Sequence, residues 1–307
     1  MGSIMTSTPL VSVIVACFNS ERYLATAIES VLAQTYRNLE IVMVDDCSTD
    51  GTVELIRSYQ QHDDRIRLIQ HDSRGGRPAI TKNTGLKAIR GDFVCFLDHD
   101  DYYAPNKISV LLGQLITHSN CVAAFHEIDL VDEKGHFISR YLDNFTTEAK
   151  QFLIPASNGV YLGSERFFAF QSIHYAAMHT ISVMIAVERL GHDQLFFDQR
   201  YKVCDDTDLW LRLGLAGTVV YVDNSLASYR QHDTNITRDL VKVQEDALLF
   251  MESNYQRVSN ALTADEQNQL RARIANNYNN LGWIYRQKYL PKKSIPAYLK
   301  EIGRAHV

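Results

Sequence analysis

The apolar positions of this chain fall into short blocks whose period switches between two and 3.6. Val11-Ser12-Val13-Ile14-Val15-Ala16 is almost wholly apolar and β-branched, as expected of a strand covered on both faces. Leu24, Ile28, Val31 and Leu32 then recur at helical spacing, with Asn19-Ser20 placed to cap that helix. Ile41 to Val44 predicts a second strand that stops at Asp45-Asp46, and Ser48 to Thr52 a turn and cap before a helix carrying Val53 and Ile56. Arg65 to Gln70 alternates charged and apolar residues as a third strand. After the flexible Arg74-Gly75-Gly76-Arg77, a helix is expected from about Pro78 to Arg90. Phe93 to Leu97 is a buried strand that runs straight into Asp98-His99-Asp100-Asp101. Strand and helix thus alternate four times, which implies an α/β fold: a mostly parallel, doubly wound sheet with helices on both faces.

The second half is less regular. A helix from Pro105 carries Ile108, Leu111, Leu112, Leu115 and Ile116, and Cys121 to Phe125 makes a strand. Asp132 to Gly135 reads as a hairpin turn leading to a strand from Phe137 to Tyr141. Residues 142–178, rich in aromatics such as Tyr161, Phe167, Phe168, Phe170 and Tyr175, are expected to be substrate-facing loops and short helices. Thr180 to Val187 is predicted as a strand, Asp205 or Asp206 as the start of a helix, and Val219 to Val222 and Leu226 to Tyr229 as late strands.

Composition narrows the class. Apolar residues at 46% and charged residues at 22% are ordinary for a globular protein. A net charge of -5 gives no general attraction to nucleic acid. Five cysteines without a C-x-x-C pair fit a reducing compartment better than a disulfide framework. The polar start, Met1 to Pro9, does not read as a signal peptide, and no apolar run approaches membrane-spanning length. The expected location is the cytoplasm, with peripheral contact at the inner face of the membrane still allowed.

Candidate chemistry lies at the strand ends. Phe18-Asn19, Asp45-Asp46 and Asp98-His99-Asp100 would converge on one edge of a parallel sheet, where ligands of such folds bind. Neither G-x-G-x-x-G nor G-x-x-x-x-G-K-[ST] is present, so a phosphate would be met by a metal and basic side chains rather than a glycine cradle. Carboxylates held this close repel unless a cation neutralises them, and oxygen ligands suit Mg²⁺ or Mn²⁺ shared with a phosphorylated substrate. Taken singly, an acidic cluster is as readily a solvated turn, Asp205-Asp206 an N-cap, and His232 a structural histidine.

Together these blocks resemble a known family. Val11 to Asn19, Val44 to Thr52, Asn83-Thr84-Gly85 with Gly91-Asp92-Phe93, Phe96 to Asp101, and Asp205-Asp206 before Asp208-Leu209-Trp210-Leu211-Arg212 resemble, in order and spacing, the inverting glycosyltransferases of family 2, with the GT-A fold. The resemblance spans residues 9–236, which divide into a nucleotide-sugar-binding half (9–117) and an acceptor half (118–236). It implies transfer of a sugar from a nucleotide diphosphate donor, a UDP-sugar by expectation, to a hydroxyl of a glycan or glycolipid acceptor in cell-surface or secreted polysaccharide biosynthesis. By position Ala16, Phe18, Asp45 and Asp46 would line the base and ribose pocket, and Arg77 or Lys82 would meet the diphosphate. Asp98 and Asp100 match the D-x-D acids, with Asp100 carrying Mn²⁺ or Mg²⁺ and His232 as a further metal or phosphate contact. Asp206 falls on the usual general base and Asp205 on its glutamate neighbour, so either of the two could face the acceptor. Cys47 stands where glycine is common and Lys82 where arginine is common.

From about Leu240 helix formers dominate, and Tyr278, Leu281, Gly282 and Tyr285, followed by Tyr298, resemble one tetratricopeptide repeat. A single repeat cannot bury its own face, so the 240–300 segment either packs on the catalytic domain or is cut short; truncation is the expectation. Residues 301–307 break the pattern and read as a non-native tail. Two other functions fit the same residues: a polyprenyl-phosphate glycosyltransferase, and a catalytically silent nucleotide-sugar-binding module presenting helical repeats to a protein partner.

Overall fold

The computed structural model describes residues 8–175, 177–288, 293 and 296. Through the first hundred residues the pattern and the fold agree: β1 (Val11–Cys17), α1 (Leu24–Leu32), β2 (Leu39–Asp45), α2 (Thr52–Gln60), β3 (Ile66–Gln70), α3 (Pro78–Ala88) and β4 (Phe93–Asp98) alternate. The chain continues through β5 (Tyr102–Tyr103), α4 (Lys107–Thr117), β6 (Cys121–Val131), β7 (Phe137–Arg140), α5 (Phe145–Glu148), β8 (Leu153–Ser157), β9 (Val160–Gly163) and α6 (Phe167–Ile173). It ends in β10 (Met184–Ala186), α7 (Val187–Leu190), α8 (Asp205–Ala216), β11 (Thr218–Arg230), α9 (Leu240–Val258) and α10 (Ala264–Gln287). Among the described residues the strands form one sheet in the order β3-β2-β1-β4-β10-β6-β11-β9-β8, with β5 against β11 and β7 against β6.

Register places the strand ends level with one another. β1 pairs in parallel with β2 and β4, setting Ala16 opposite both Val44 and Asp98, and Cys17 opposite Asp45. β10 is antiparallel to both β4 and β6, and β6 is parallel to β11. The direction therefore reverses twice, and β4, β6 and β11 all finish on the same edge. The sheet is mixed and mostly parallel, the fold class expected from the sequence.

Several local expectations give way to tertiary packing. Asn19 and Ser20 do not cap α1: Asn19 sits at φ 50 and its Oδ1 accepts the Thr49 N–H at 2.8 Å, while Ser20 Oγ accepts from Phe18 N–H at 3.0 Å. Their hydrogen-bonding capacity goes to joining the β1 and β2 loops. The strand expected from Thr180 to Val187 is a 3₁₀ turn, Thr180–Ser182, then β10 and α7, because its apolar run is buried from every side rather than along a ladder. The two late strands are one, β11, bent by register shifts. Within 142–178 the β8–β9 hairpin was not foreseen, and Phe167, Phe168 and Phe170 are core residues rather than a substrate-facing surface.

Each face of the sheet has its own core. On one, α1 and α4 lay Leu24, Ile28, Val31, Ile108, Leu111 and Leu115 over Val13, Val15, Cys95 and Leu97. On the other, Ile14, Val42, Val94 and Phe96 meet Phe197, Trp210 and the aromatics of α6. Leu248, Phe250 and Met251 of α9 and Leu270, Tyr278, Leu281 and Tyr285 of α10 are part of this second core. The repeat-like positions of α10 are thus used in packing on the sheet domain; Tyr298 and residues 301–307 lie outside the described residues.

Close approach of α3 to β1 depends on Gly85, where an added Cβ would come within 2.5 Å of Ile14 Cγ2. Alanine adds up to about 1 kcal/mol of helix propensity, whereas overpacking a tight core costs about 1–3 kcal/mol, so the clash dominates. Gly85→Ala is expected to lower the thermal unfolding midpoint; an unchanged or raised midpoint would show that Ile14 can yield.

Candidate active site

Four strand ends and two helices supply the shared edge. On the β1–β2 side, Asp45 accepts the Ser48 N–H at 3.1 Å and the Ser48 hydroxyl. Asp46 accepts the N–H groups of Gly75 and Gly76 at 2.7 and 2.9 Å and pairs with His71 Nδ1 at 2.8 Å. Burial pushes its carboxyl up, but these donors outweigh that and hold it below the ordinary range. Asp46 therefore shapes the loop carrying Arg74 and Arg77. The Arg74 guanidinium lies 3.8 Å from the centre of the Phe18 ring. Cys47 adopts φ 63, a left-handed conformation that explains the preference for glycine at this position; its Sγ sits 3.1 Å from the His71 carbonyl.

At the centre, Lys82 on α3 reaches Asp205 on the first turn of α8 at 2.6 Å and lies over the Phe197 ring at 4.2 Å. Both partners are at least 95% buried, with 5% and 3% exposure. Burial alone would pull the lysine down; the carboxylates of Asp205, Asp206 and Asp98 outweigh it and raise it. Burial raises Asp205, with Asp206 adding to the push and Lys82 opposing it, up to about 6.

The acids after β4 divide in their partners. Burial pushes Asp98 up, Lys82 pulls it down and Asp100 pushes it further. Asp100 Oδ2 lies 2.7 Å from His232 Nε2, and the His232 ring is steadied by Thr234 Oγ1 at 2.9 Å from Nδ1 and by the Tyr23 ring at 5.0 Å. Asp101 is buried, accepts the Arg230 N–H at 2.8 Å, and is pushed well above the usual carboxylate range by burial and by Asp100 and Asp98. Arg230 also donates from Nε to the Asp100 carbonyl at 3.1 Å and from Nη1 to the Glu133 carbonyl at 2.8 Å. It ties the end of β11 to the turn after β4.

Across from these acids stands Asp206, which accepts the Thr180 hydroxyl at 3.0 Å and the Thr207 N–H at 2.6 Å. His179 beside it is flanked by the rings of Tyr141 at 5.6 Å and Tyr229 at 5.0 Å. Burial lowers its pKa, while the fields of Asp206, Asp98 and Asp100 pull the other way. One imidazole thus lies within the fields of both acid groups. The Asp98, Asp100, His232, Lys82, Asp205 and Asp206 expected from the sequence are gathered here. Arg77 is turned aside, its guanidinium donating to the Gln199 carbonyl. His179, Thr180, Arg230 and Arg74 lie at this edge but were not foreseen, since none lies in an acidic block.

Among the described residues no three His, Cys, Asp or Glu side chains are already gathered into a metal cage. The donor chemistry of Asp98 and Asp100 still fits a hard divalent cation, because the repulsion by which the Asp100 carboxylate helps push Asp98 up is relieved by positive charge. His232 could add one nitrogen.

A mixed sheet whose ligand edge gathers acids and a buried lysine defines an enzyme-like cleft of the GT-A type. The sequence profile of glycosyl transferase family 2 matches residues 12–175, more than half of the chain. The putative teichuronic acid biosynthesis glycosyltransferase TuaG of Bacillus subtilis is 27% identical over 230 residues, 75% of this chain and 82% of that protein. Among solved structures, S. aureus TarS 1-349 in complex with UDP-GlcNAc superposes with a TM-score of 0.60 at 18% identity, covering 94% of this chain and 89% of that one. Mannosyltransferase PcManGT from Pyrobaculum calidifontis, in complex with GDP-Man and Mn²⁺, gives 0.63 at 16% identity over 95% and 74%. The chain belongs to glycosyl transferase family 2 and is a glycosyltransferase.

Asp205 makes stability depend on pH in a definite direction. Its folded pKa of about 6 lies above the roughly 3.9 of an unfolded aspartate, so the folded state holds the extra proton between them. Stability relative to Asp205→Asn should therefore fall, by an amount on the order of 2 kcal/mol, as pH rises from about 4 to 6, and level off above. Denaturant unfolding at pH 4, 5, 6 and 7 measures this; a difference that grows with pH would reverse the assignment.

Proposed function

We propose that this chain is a metal-assisted, inverting transferase that moves a sugar from a nucleotide diphosphate donor, a UDP-sugar by expectation, to a hydroxyl of a glycan acceptor. The process is cell-surface or secreted polysaccharide assembly, for which the name of TuaG is the support. The complexes of TarS with UDP-GlcNAc and of PcManGT with GDP-Man support the donor class. The observation supporting the mechanism is that the Lys82–Asp205 pair and the Phe96, Phe197 and Trp210 rings hold the first turn of α8, which carries Asp206, against the end of β4, which carries Asp98.

Ala16, Phe18, Asp45 and Asp46 line the base and ribose end, with Arg74 closing over Phe18. Asp98 and Asp100, with His232 against Asp100, would hold the Mn²⁺ or Mg²⁺, whose chemistry when bound is to neutralise charge on the leaving diphosphate. Asp205 is taken by Lys82, which leaves Asp206 as the general base. Its Oδ2 accepts the acceptor proton as the hydroxyl oxygen bonds to the anomeric carbon; the bond to the diphosphate breaks on the opposite face, inverting the configuration. Thr180 and the Thr207 N–H keep the carboxylate oriented while it waits. Lys82 places a buried positive charge beside Asp98, where diphosphate charge develops.

A cavity of about 390 Å³ lined by Tyr141, Leu142, Asp143, Asn144, Glu148 and Tyr175, of which Tyr141 packs on the His179 ring at 5.6 Å, is the place we assign to the acceptor. Its volume falls within the roughly 300–1,000 Å³ of small-molecule sites. Aromatic faces with an acidic lining suit a neutral sugar and repel a lipid phosphate, which favours a glycan over a polyprenyl-phosphate acceptor. No helix of the described residues is long and apolar enough to cross a membrane. The segment 240–287 is a packed extension of the glycosyltransferase domain.

Asp206→Asn is expected to lower transfer by about 10²–10⁴-fold while nucleotide-sugar binding stays within about twofold. Asp100→Ala should abolish the Mn²⁺ or Mg²⁺ dependence of donor binding, read by thermal shift with UDP-sugars. Undiminished turnover in Asp206→Asn would remove it as the base. Donor binding without hydrolysis or transfer by the unaltered protein would return the silent-module reading.

A further inference from the structure

We propose that Asp246, on α9 and outside the segment matched by the family profile, is a positioning residue that aims Asp206 at the acceptor. This rests on Asp206 being the base. Asp246 Oδ2 accepts three consecutive backbone N–H groups, from Lys202 at 2.9 Å, Val203 at 2.8 Å and Cys204 at 2.8 Å. Cys204 is the residue at which α8 begins, and Asp205 and Asp206 follow at once. Cys204 makes no side-chain cap hydrogen bond to α8, and the three backbone N–H groups leading into the helix converge instead on this carboxylate, itself 5% exposed. Successive N–H groups turned to one point form a concave anion site, and here the anion is supplied by the chain itself. One turn along α9, Phe250 packs edge-on against the Tyr201 ring at 6.0 Å, closing the same segment from its other end.

α9 also grips α8 further on, where Arg257 reaches buried Asp208 at 2.9 Å. The two contacts separate by function. The Arg257 pair lies past the reacting carboxylates and holds the helix down. The Asp246 contact fixes the direction in which its first turn points. A displacement of about 1 Å at a reacting group can cost about 100-fold in rate, so loss of the Asp246 contact should appear in kcat while the β1–β4 edge keeps its grip on the donor.

The test compares Asp246→Ala, Asp246→Asn and Arg257→Gln in the full chain. Asp246→Ala should lower kcat by about 10–100-fold with donor KM and UDP affinity within about threefold. Asp246→Asn, which keeps one acceptor oxygen, should recover most of the rate. Arg257→Gln should lower the unfolding midpoint with less effect on kcat. Amide exchange should quicken at residues 202–207 in Asp246→Ala and stay unchanged in β1, β2 and β4. An equal kcat loss in Arg257→Gln and Asp246→Ala, or an unchanged kcat in the alanine variant, overturns the proposal. Failure of the base assignment is read separately: exchange at 202–207 would still respond to Asp246→Ala, while Asp206→Asn kept full turnover.

Discussion

Like charge at one sheet edge is the constraint on which this molecule turns. Asp45, Asp46, Asp98, Asp100, Asp101, Asp205 and Asp206 all approach the ends of β1, β2, β4 and α8, and repulsion among them would open the cleft if nothing answered it. The answers are local and differ in kind. Asp45 and Asp46 are met by hydroxyl and backbone N–H groups and by His71, Asp101 by the backbone of Arg230, Asp100 by His232, and Asp205 by Lys82. Burial, with Asp100 adding to it, pushes Asp98 up against the fields of Lys82 and, more weakly, His179 and His99. A fold that collects this much negative charge on one edge supports the proposal of a cation there, because positive charge would relieve the repulsion.

How much of this was legible depended on whether burial followed the local period. β1, β2 and β4 are near-continuous apolar runs and β3 alternates, all separated by helical stretches, so their succession and the acidic ends of β2 and β4 could be read directly, including Asp45, Asp98 and Asp100. The Met184–Ala186 strand could not be delimited, because Ile181 and Val183 are as buried as the strand itself and an apolar run does not record which residues hydrogen-bond. The aromatics of 142–178 misled in the same way: Phe167 and Phe170 stack in the core, and aromatic content alone does not tell a platform from filling. The site's unforeseen members, His179, Thr180 and Arg230, act through neighbours distant in sequence, and only the packed sheet reveals those neighbours.

The C-terminal helices show where the repeat-like positions of α10 are used among the described residues. Tyr278, Leu281 and Tyr285 have repeat-like spacing because one helical face must be apolar, and α10 spends that face on α9 and on the core beneath α6. Half-buried Arg273 reinforces the join, donating to the Ser172 carbonyl at 2.9 Å from α10. A helical hairpin fused into the core this way is not an appendage whose loss would leave the rest untouched.

The separation between Asp98 and Asp100 on one side and Asp206 on the other is finally a matter of aromatic packing. Phe96 on β4 lies two residues before Asp98, and Trp210 on α8 four residues after Asp206, one helical turn away. Phe197, whose ring lies under Lys82, meets Phe96 at 5.0 Å and Trp210 at 6.2 Å, and Phe96 meets Trp210 at 6.3 Å. Three rings thus join the strand bearing one acid group, the helix bearing the other and the lysine between them. Packed interiors resist small displacements, so the width of the gap a sugar must span is set by side chains that never touch it. Charge draws the ligands in, and the rings beneath decide how far apart the groups that act on them stand.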